Sequence, residues 1–326
     1  MKKRIFVLAM TLLISLGMMT ACGKKEEAGT TVRVGSLKGP TSIGLTKLMQ
    51  DDEDNKSRQD YEFTMETAAD AISALIVQKE LDIALVPANM ASILYQKTEG
   101  KVAVIDINIL GVLYGVTGDD SITEISDLSG KTVYLTGKGT TPDFVLQYLL
   151  KENGIADSVK LEYKSEATEV AAVLKNDTSA IGILPQPFVT AACTQNEALN
   201  VVLDLTKEWS KLQGDSGSMM VTGVTIARTE WMEENPEQVT LFLKEHKAST
   251  EYVNSNVEAA AELVVKYGII EKAPIAKKAI PECNITCMTG ADMKAALEGY
   301  LGVLYEQNPQ SVGGKLPGET FYYIAE

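Results

Sequence analysis

The sequence predicts an α/β fold of two similar lobes joined by two hinge strands, and three observations carry that expectation. Short apolar, β-branched runs alternate with amphipathic stretches, the pattern of strands buried between helices. One strand–turn–helix–strand order occurs twice, with Lys38-Gly39 aligning with Lys138-Gly139 and Thr41 with Thr141. Two long apolar runs, at 102–116 and 219–227, lie where a chain would pass from one unit to the other and back.

In the first unit, Val32-Arg33-Val34-Gly35 reads as a strand leading into Leu37-Lys38-Gly39-Pro40-Thr41-Ser42, followed by an apolar helix over 43–49. Thr67-Ala68-Ala69-Asp70-Ala71 opens a second helix running to Lys79. The buried strand Asp82-Ile83-Ala84-Leu85-Val86-Pro87 comes next, and a further helix starts at Asn89. The second unit repeats the order. Thr132-Val133-Tyr134-Leu135 leads into Lys138-Gly139-Thr140-Thr141-Pro142, with helices over 144–150 and 166–175. Ala180-Ile181-Gly182-Ile183-Leu184-Pro185 is the matching strand, and Pro187 begins another helix. Two units in one order argue for two lobes of like architecture.

An ordinary strand has about five or six residues, so the run at 102–116 is read as a segment leaving the first lobe and 219–227 as the return. After that return everything beyond Arg228 is assigned to the first lobe, largely as helices, with helical spacing over 236–253, 257–267 and 292–305. The expected boundaries are 32–115 with 225–326 for the first lobe and 116–224 for the second. Two crossings make a hinge, and hinged lobes can close on something.

Ahead of the lobes, Lys2, Lys3 and Arg4 precede an apolar stretch over 5–19, and Thr20-Ala21-Cys22 leads into Lys24-Lys25-Glu26-Glu27. A charged start, an apolar core and small residues at its end describe an export signal over 1–21 rather than a membrane-spanning helix. Residues 22–31, rich in Lys, Glu, Gly and Thr, read as a flexible tether.

Composition narrows the chemistry. With 45% hydrophobic and 23% charged residues the 326-residue chain is globular rather than disordered. A net charge of −14 argues against a nucleic-acid partner, which needs clustered Lys and Arg. The single histidine, His246, excludes a multi-histidine metal centre and weakens any triad. Cys193, Cys283 and Cys287 are joined by no second Cys pair or nearby His that would make a zinc pattern. Cys283 and Cys287 are close enough to bridge, and half-buried thiols are the alternative. No metal and no cofactor are expected.

In open parallel sheets a ligand sits beyond the carboxyl ends of the strands, where loops enter helices. There the first unit offers Lys38, Gly39, Pro40, Thr41 and Ser42, and the second offers Lys138, Gly139, Thr140 and Thr141. Glycine permits close backbone approach, the hydroxyls can donate, and a helix N-terminus is positively polarised. Plain N-capping is the alternative for either turn alone. The matched pair points to an anionic or strongly hydrogen-bonding small molecule gripped from both sides. Asn89 and Gln186 end the repeated second strands and add amides. Tyr114 is added as an aromatic wall, beside the alternative of core packing, and Trp209 is placed at the cleft's flank. Gly214-Asp215-Ser216-Gly217 has the look of a protease nucleophile turn, but no base precedes it. No catalytic constellation emerges, and no enzyme activity is expected.

Met19-Thr20-Ala21-Cys22-Gly23 resembles the bacterial lipoprotein signal, in which the cysteine becomes the lipidated first residue. Leu37-Lys38-Gly39-Pro40-Thr41-Ser42-Ile43-Gly44 resembles the first turn of the solute-binding lipoproteins of ABC importers, in the nitrate, sulfonate, taurine and thiamine-precursor group of type II periplasmic binding proteins. Asp127-Leu128-Ser129-Gly130-Lys131-Thr132-Val133 and Ile183-Leu184-Pro185-Gln186-Pro187 are similar to that group's second lobe. The resemblance covers 31–310 and implies two lobes, two hinge strands, a deep cleft and delivery of cargo to a membrane permease. It implies a monomer anchored through Cys22 at the extracytoplasmic face of the bacterial membrane, with a small solute and an ABC permease as partners. A sensory lipoprotein without transport is one other reading. A relative of the pyrimidine-synthesis enzymes that share the fold is a second, against which the single helical His246 speaks.

Overall fold

A computed structural model describes residues 31–214 and 218–324. The expected export signal over 1–21, the lipidation site Cys22 and the tether up to Thr30 lie outside the described residues, as does most of the Gly214–Gly217 turn. No helix among the described residues is long and apolar enough to cross a membrane.

The first stretch alternates strand and helix: β1 (Val32–Leu37), α1 (Pro40–Ile43), α2 (Thr46–Glu53), β2 (Tyr61–Glu66), α3 (Ala69–Val77), β3 (Ile83–Pro87), α4 (Ala88–Lys97) and β4 (Val102–Ile109). The middle stretch holds β5 (Leu113–Thr117), β6 (Thr132–Leu135), α5 (Thr141–Glu152), β7 (Lys160–Tyr163), α6 (Ala167–Asn176), β8 (Ile181–Pro185), α7 (Phe188–Gln195), β9 (Asn200–Asp204) and α8 (Leu205–Gln213). The chain then runs through β10 (Gly223–Arg228), α9 (Thr229–Glu234), α10 (Pro236–Ser255), α11 (Val257–Lys266), α12 (Ala273–Ala279), β11 (Ile285–Met288) and α13 (Gly290–Gln307).

Two sheets result, ordered β11-β4-β10-β3-β1-β2 and β7-β6-β8-β5-β9. Each is built around a parallel trio, β2-β1-β3 in one and β7-β6-β8 in the other. An antiparallel strand follows the trio in each, β10 in the first and β5 in the second. These two equivalent strands are the ones that directly follow the crossings: β5 comes after 110–112, and β10 after 218–222. Each lobe is thus completed by a strand arriving from the other. Because β5 already pairs with β8 from Leu113 onward, residues 113–115 sit in the second sheet, three residues earlier than the sequence boundary.

The apolar run expected as one helix over 43–49 is broken at Gly44 and Leu45. A Cβ on Gly44 would lie 3.1 Å from Ile285 and 3.2 Å from the Thr250 hydroxyl, so the backbone approaches α10 closely here. Ser249 of α10 secures the break: its hydroxyl donates to the Gly44 carbonyl at 2.6 Å and accepts from Leu48 N at 3.0 Å.

A second departure concerns the C-terminal helices. The α13 helix buries Leu297, Tyr300, Leu301 and Leu304 in one cluster with Phe144, Leu149 and Trp209 of the second-sheet helices. The chain after Arg228 is therefore not confined to the first sheet; α13 packs against both. Trp209 is fully buried at this junction rather than standing at the rim of a cleft. Cys283 is also buried, and Cys193, Cys283 and Cys287 are all free thiols, with no bridge between the last two.

Tight packing at one second-sheet glycine yields a prediction. A Cβ on Gly118 would fall 2.6 Å from the Ala198 carbonyl oxygen and 3.0 Å from that of Thr178. Both obstacles are backbone and cannot rotate away, so Gly118→Ala is expected to cost about 1–3 kcal/mol, read as a lowered urea midpoint. An unchanged midpoint would contradict this packing.

Candidate functional site

The first predicted turn ends β1 and opens the four-residue α1, with Pro40 in its first turn, where a missing N–H costs nothing. Its hydroxyls are spent locally. Thr41 Oγ1 donates to the Leu37 carbonyl at 3.0 Å, Ser42 Oγ donates to the same carbonyl at 2.6 Å, and Ser36 Oγ lies 2.7 Å from Ser42 Oγ. Lys38 is exposed at the rim. Thr41 reaches the return strand, since a Cβ on Gly223 would be 3.0 Å from its methyl group.

The second turn precedes α5. Gly139 has φ +74, a left-handed conformation that glycine tolerates without strain, and the space at its Cβ position is open. Its N–H is not free for a solute: it donates to Asp143 Oδ2 at 2.8 Å. Asp143 is buried and also accepts from Tyr163 Oη at 2.7 Å and from the Gln147 amide. Burial first, and then the bond to this carboxylate, push the Tyr163 phenol up from its ordinary value, so it remains a donor. Thr140 Oγ1 donates to Gly137 O at 2.6 Å, and Lys138 Nζ stands 5.2 Å from the Tyr163 ring centre. The positively polarised turn expected from sequence is thus neutralised from within by Asp143. A sequence signal for this existed: Thr140-x-x-Asp143 has capping-box spacing.

Asn89, the second residue of α4, ties that helix to the second turn and to Ser311. Its Nδ2 donates to Gly139 O at 3.4 Å and to Ser311 O at 3.2 Å, while Thr141 Oγ1 donates to Asn89 Oδ1 at 3.5 Å. The preceding residue, Ala88, donates its N–H to Thr222 O in the return crossing at 3.1 Å. Asn89 therefore links α4 of the first sheet to Gly139 and Thr141 of the second turn, while the Thr41 hydroxyl of the first turn bonds within its own loop.

Tyr114 and Gln186 lie elsewhere. Side chains alternate across β5, sending Leu113 into the core shared with α5 and Tyr114 into the one with Val170 and Val189. Tyr114 and Gln186 line a cavity of about 670 Å³, with Asp204, Lys207, Lys278 and Glu282 among its other walls. The Tyr114 hydroxyl donates to Glu282 O at 3.3 Å, so the cavity is walled from both sheets' helices. Burial, followed by the charges of Asp204 and Glu282, pushes the Tyr114 phenol up to about 12, which leaves it a donor at neutral pH. Gln186 Oε1 accepts from Thr190 Oγ1 at 2.9 Å, and its backbone N–H donates to Val112 O in the first crossing at 3.0 Å. Asp204 caps α8, accepting from Thr206 N and Lys207 N, and pairs with Lys207 Nζ at 3.0 Å. Three acids, Glu197, Asp204 and Glu282, share this lining with two lysines, Lys207 and Lys278, so it presents charges of both signs alongside hydrogen-bonding groups. Sequence reasoning missed Lys278 and Glu282, which no local motif marks.

Comparison with known proteins adds family and fold. A family described as menaquinone biosynthesis matches residues 40–306. A binding protein of Brucella abortus is 24% identical over 187 residues, 57% of this chain; the chain spans 56% of the length of that relative. An ABC transporter structure from Parabacteroides distasonis superposes with a TM-score of 0.76 at 22% identity, covering 91% of this chain and 100% of that one. The periplasmic aliphatic sulphonate-binding protein of Escherichia coli gives 0.71 at 15% identity, covering 90% and 96%. The alkanesulfonate-binding protein of Xanthomonas axonopodis, bound to MOPS, gives 0.71 at 12%, covering 92% and 100%. At these identities the structural likeness is one of fold, the periplasmic binding protein fold of two α/β lobes.

Proposed function

The chain belongs to the family described as menaquinone biosynthesis, and from that premise and the cleft geometry we propose that it is a receptor that captures a small solute between its two sheets for an importer. The observation that carries this reading is the pairing of two sheets, joined by crossings at 110–112 and 218–222, with the Asn89 bridge to Gly139 and Thr141. Such a joint lets one lobe bind first and the other close over the solute. The solute occupies the 670 Å³ cavity beside Tyr114 and Gln186, a volume ordinary for small-molecule sites. Recognition there rests on hydrogen bonds more than on charge, because Lys207 is paired with Asp204 and the lining carries both signs. The sulphonate-binding and importer proteins that share the fold support delivery to a membrane permease. Lipid anchoring at Cys22, outside the cytoplasm, and a monomeric state complete the proposal.

A second reading, an enzyme acting on the same solute, is favoured by the family's description. The side chains of the bridge, Asn89 and Thr141, are an amide and a hydroxyl, which suit holding better than proton transfer. Native mass spectrometry of the purified chain, followed by incubation and re-analysis of whatever small molecule co-purifies, separates the two. The solute is expected to return unchanged; a converted product would favour the enzyme, and no bound or rebinding solute would reject both.

Asn89→Ala is expected to leave the fold intact, enlarge the radius of gyration of the solute-free chain, and weaken solute binding by up to about 10-fold, the equivalent of one net hydrogen bond. Small-angle scattering and calorimetry read the two effects. A radius of gyration identical to wild type would remove Asn89 from the closing contact.

A further inference from the structure

On the first sheet, away from the cleft, three side chains with metal-ligating atoms converge: Asp106 of β4, His246 of α10 and Cys287 of β11. One ligand atom from each lies within 4.8 Å of the other two. Asp106 and His246 are fully buried, and His246 Nδ1 stands 3.2 Å from Asp106 Oδ2. The second carboxylate oxygen accepts from Thr225 Oγ1 at 2.9 Å, which holds the group in orientation. The ladder between β11 and β4 shifts register between Ile285 and Met288, and Cys287 falls inside that irregularity, where a bulge re-aims a side chain. His246 Nε2 is buried without a hydrogen-bond partner among the described residues, as is the hydroxyl of Thr250 one turn further along α10.

We propose that Asp106, His246 and Cys287 form a binding site for a single borderline-soft divalent cation of the zinc class, with water as the fourth ligand. Nitrogen, oxygen and sulfur ligands together suit such an ion, and three protein ligands plus an open position form a recognised zinc arrangement. Carboxylate and thiolate supply two negative charges, which match the cation and remove the cost of an unpaired buried charge. Zinc–ligand bonds of about 2.0–2.3 Å set tetrahedral ligand atoms roughly 3.3–3.8 Å apart, so no pair in the cluster has to close by more than about 1.5 Å on binding. The imidazole binds through an unprotonated Nδ1 as its Nε2–H tautomer, directed to the Thr250 side. The S–H bond of Cys287 breaks, a sulfur–metal bond forms, and the proton leaves to water. Burial, with Asp106's charge adding and Lys247's opposing, pushes the free thiol up, so the metal supplies the driving force for that loss. A recess of about 330 Å³ lined by Ile105, Lys247, Cys287 and Tyr323 opens the way in for the ion.

Titrating the purified, reduced full chain with Co²⁺ is expected to give one-to-one binding with a thiolate-to-cobalt charge-transfer absorption that Zn²⁺ abolishes by displacement. Zn²⁺ should raise the thermal midpoint and a chelator should restore it. Cys287→Ser is expected to lose the absorption and weaken Zn²⁺ binding at least about 100-fold, the upper end of what losing a mere supporting group costs; Cys193→Ser keeps both. Alkylation of the wild-type chain with and without Zn²⁺, read on the Cys287 peptide, tests the site without any variant and should show protection. Absence of the absorption, its survival in Cys287→Ser, or equal labelling in both samples would overturn the site.

Discussion

Replacing Asp82 by alanine is expected to cost about 3–5 kcal/mol of folding stability, the range for breaking a buried ion pair by removing one partner. Asp82 is 2% exposed, and its carboxylate accepts from Arg33 Nε at 2.9 Å, Arg33 Nη2 at 2.7 Å, Arg33 N at 3.1 Å and Arg228 Nη2 at 2.7 Å. Its backbone is equally committed: Asp82 N donates to Arg33 O, and Arg228 N donates to Asp82 O. One residue thereby ties the start of β1 to the end of β10. Arg33, with 35% of its side chain exposed, is partly screened by water, so most of the penalty comes from Arg228, whose side chain is 12% exposed.

This loss depends on pH with a definite sign. Burial alone would raise the Asp82 carboxyl, but hydrogen bonds from Arg33 and Arg228 outweigh it and hold the group below its ordinary value. A carboxyl depressed in the folded state contributes stability above its unfolded value of about 3.9, and that contribution disappears as pH falls through the folded value. The gap between wild type and Asp82→Ala in urea midpoint is therefore expected to be full at neutral pH and to narrow in acid. A gap of constant size would mean that the carboxylate's charge is not what stabilises the strands.

Trp209→Ala is expected to cost about 3–5 kcal/mol. The indole is fully buried on α8, with ring centres 4.9 Å from Tyr148 of α5 and 5.4 Å from Tyr300 of α13. Its Nε1 has no hydrogen-bond partner among the described residues, so the cost is one of packing and cavity rather than of lost polar contacts. Because α13 comes after the return to the first sheet while α5 and α8 belong to the second, this aromatic cluster is also a joint between lobes. The variant should combine a lower urea midpoint with a larger radius of gyration in scattering. Lost stability without any change in radius would assign Trp209 to the core alone and free the lobe movement from it.

Particular residues show where sequence reasoning succeeds. The strand at Asp82–Pro87 and its counterpart at Ala180–Pro185 are apolar runs closed by proline, and both are strands that enter helices. The run at 102–116 is too long for one strand and is two, split at 110–112. Elsewhere the local pattern misleads. An apolar stretch after Ile43 has helical character throughout, yet the close approach of α10 at Gly44 interrupts it. Thr41, Ser42 and Thr140 are hydroxyls at helix starts, and their protons go to nearby carbonyls rather than outward. Tyr114 and Gln186 do line a cavity, but Thr41, Asn89 and Thr141 are not among its walls.

By itself the sequence determined the alternation of strands and helices, the order shared by the two units and the long apolar runs within which the chain changes sheets. All of these are written in runs of neighbouring residues whose burial repeats at strand or helix spacing. Only the tertiary structure decided that Asp143 neutralises the second turn, that α13 spans both sheets, and that His246 stands beside Asp106 and Cys287. Those outcomes depend on which distant segments the sheet order sets side by side, and no local periodicity encodes a partner that lies far along the chain.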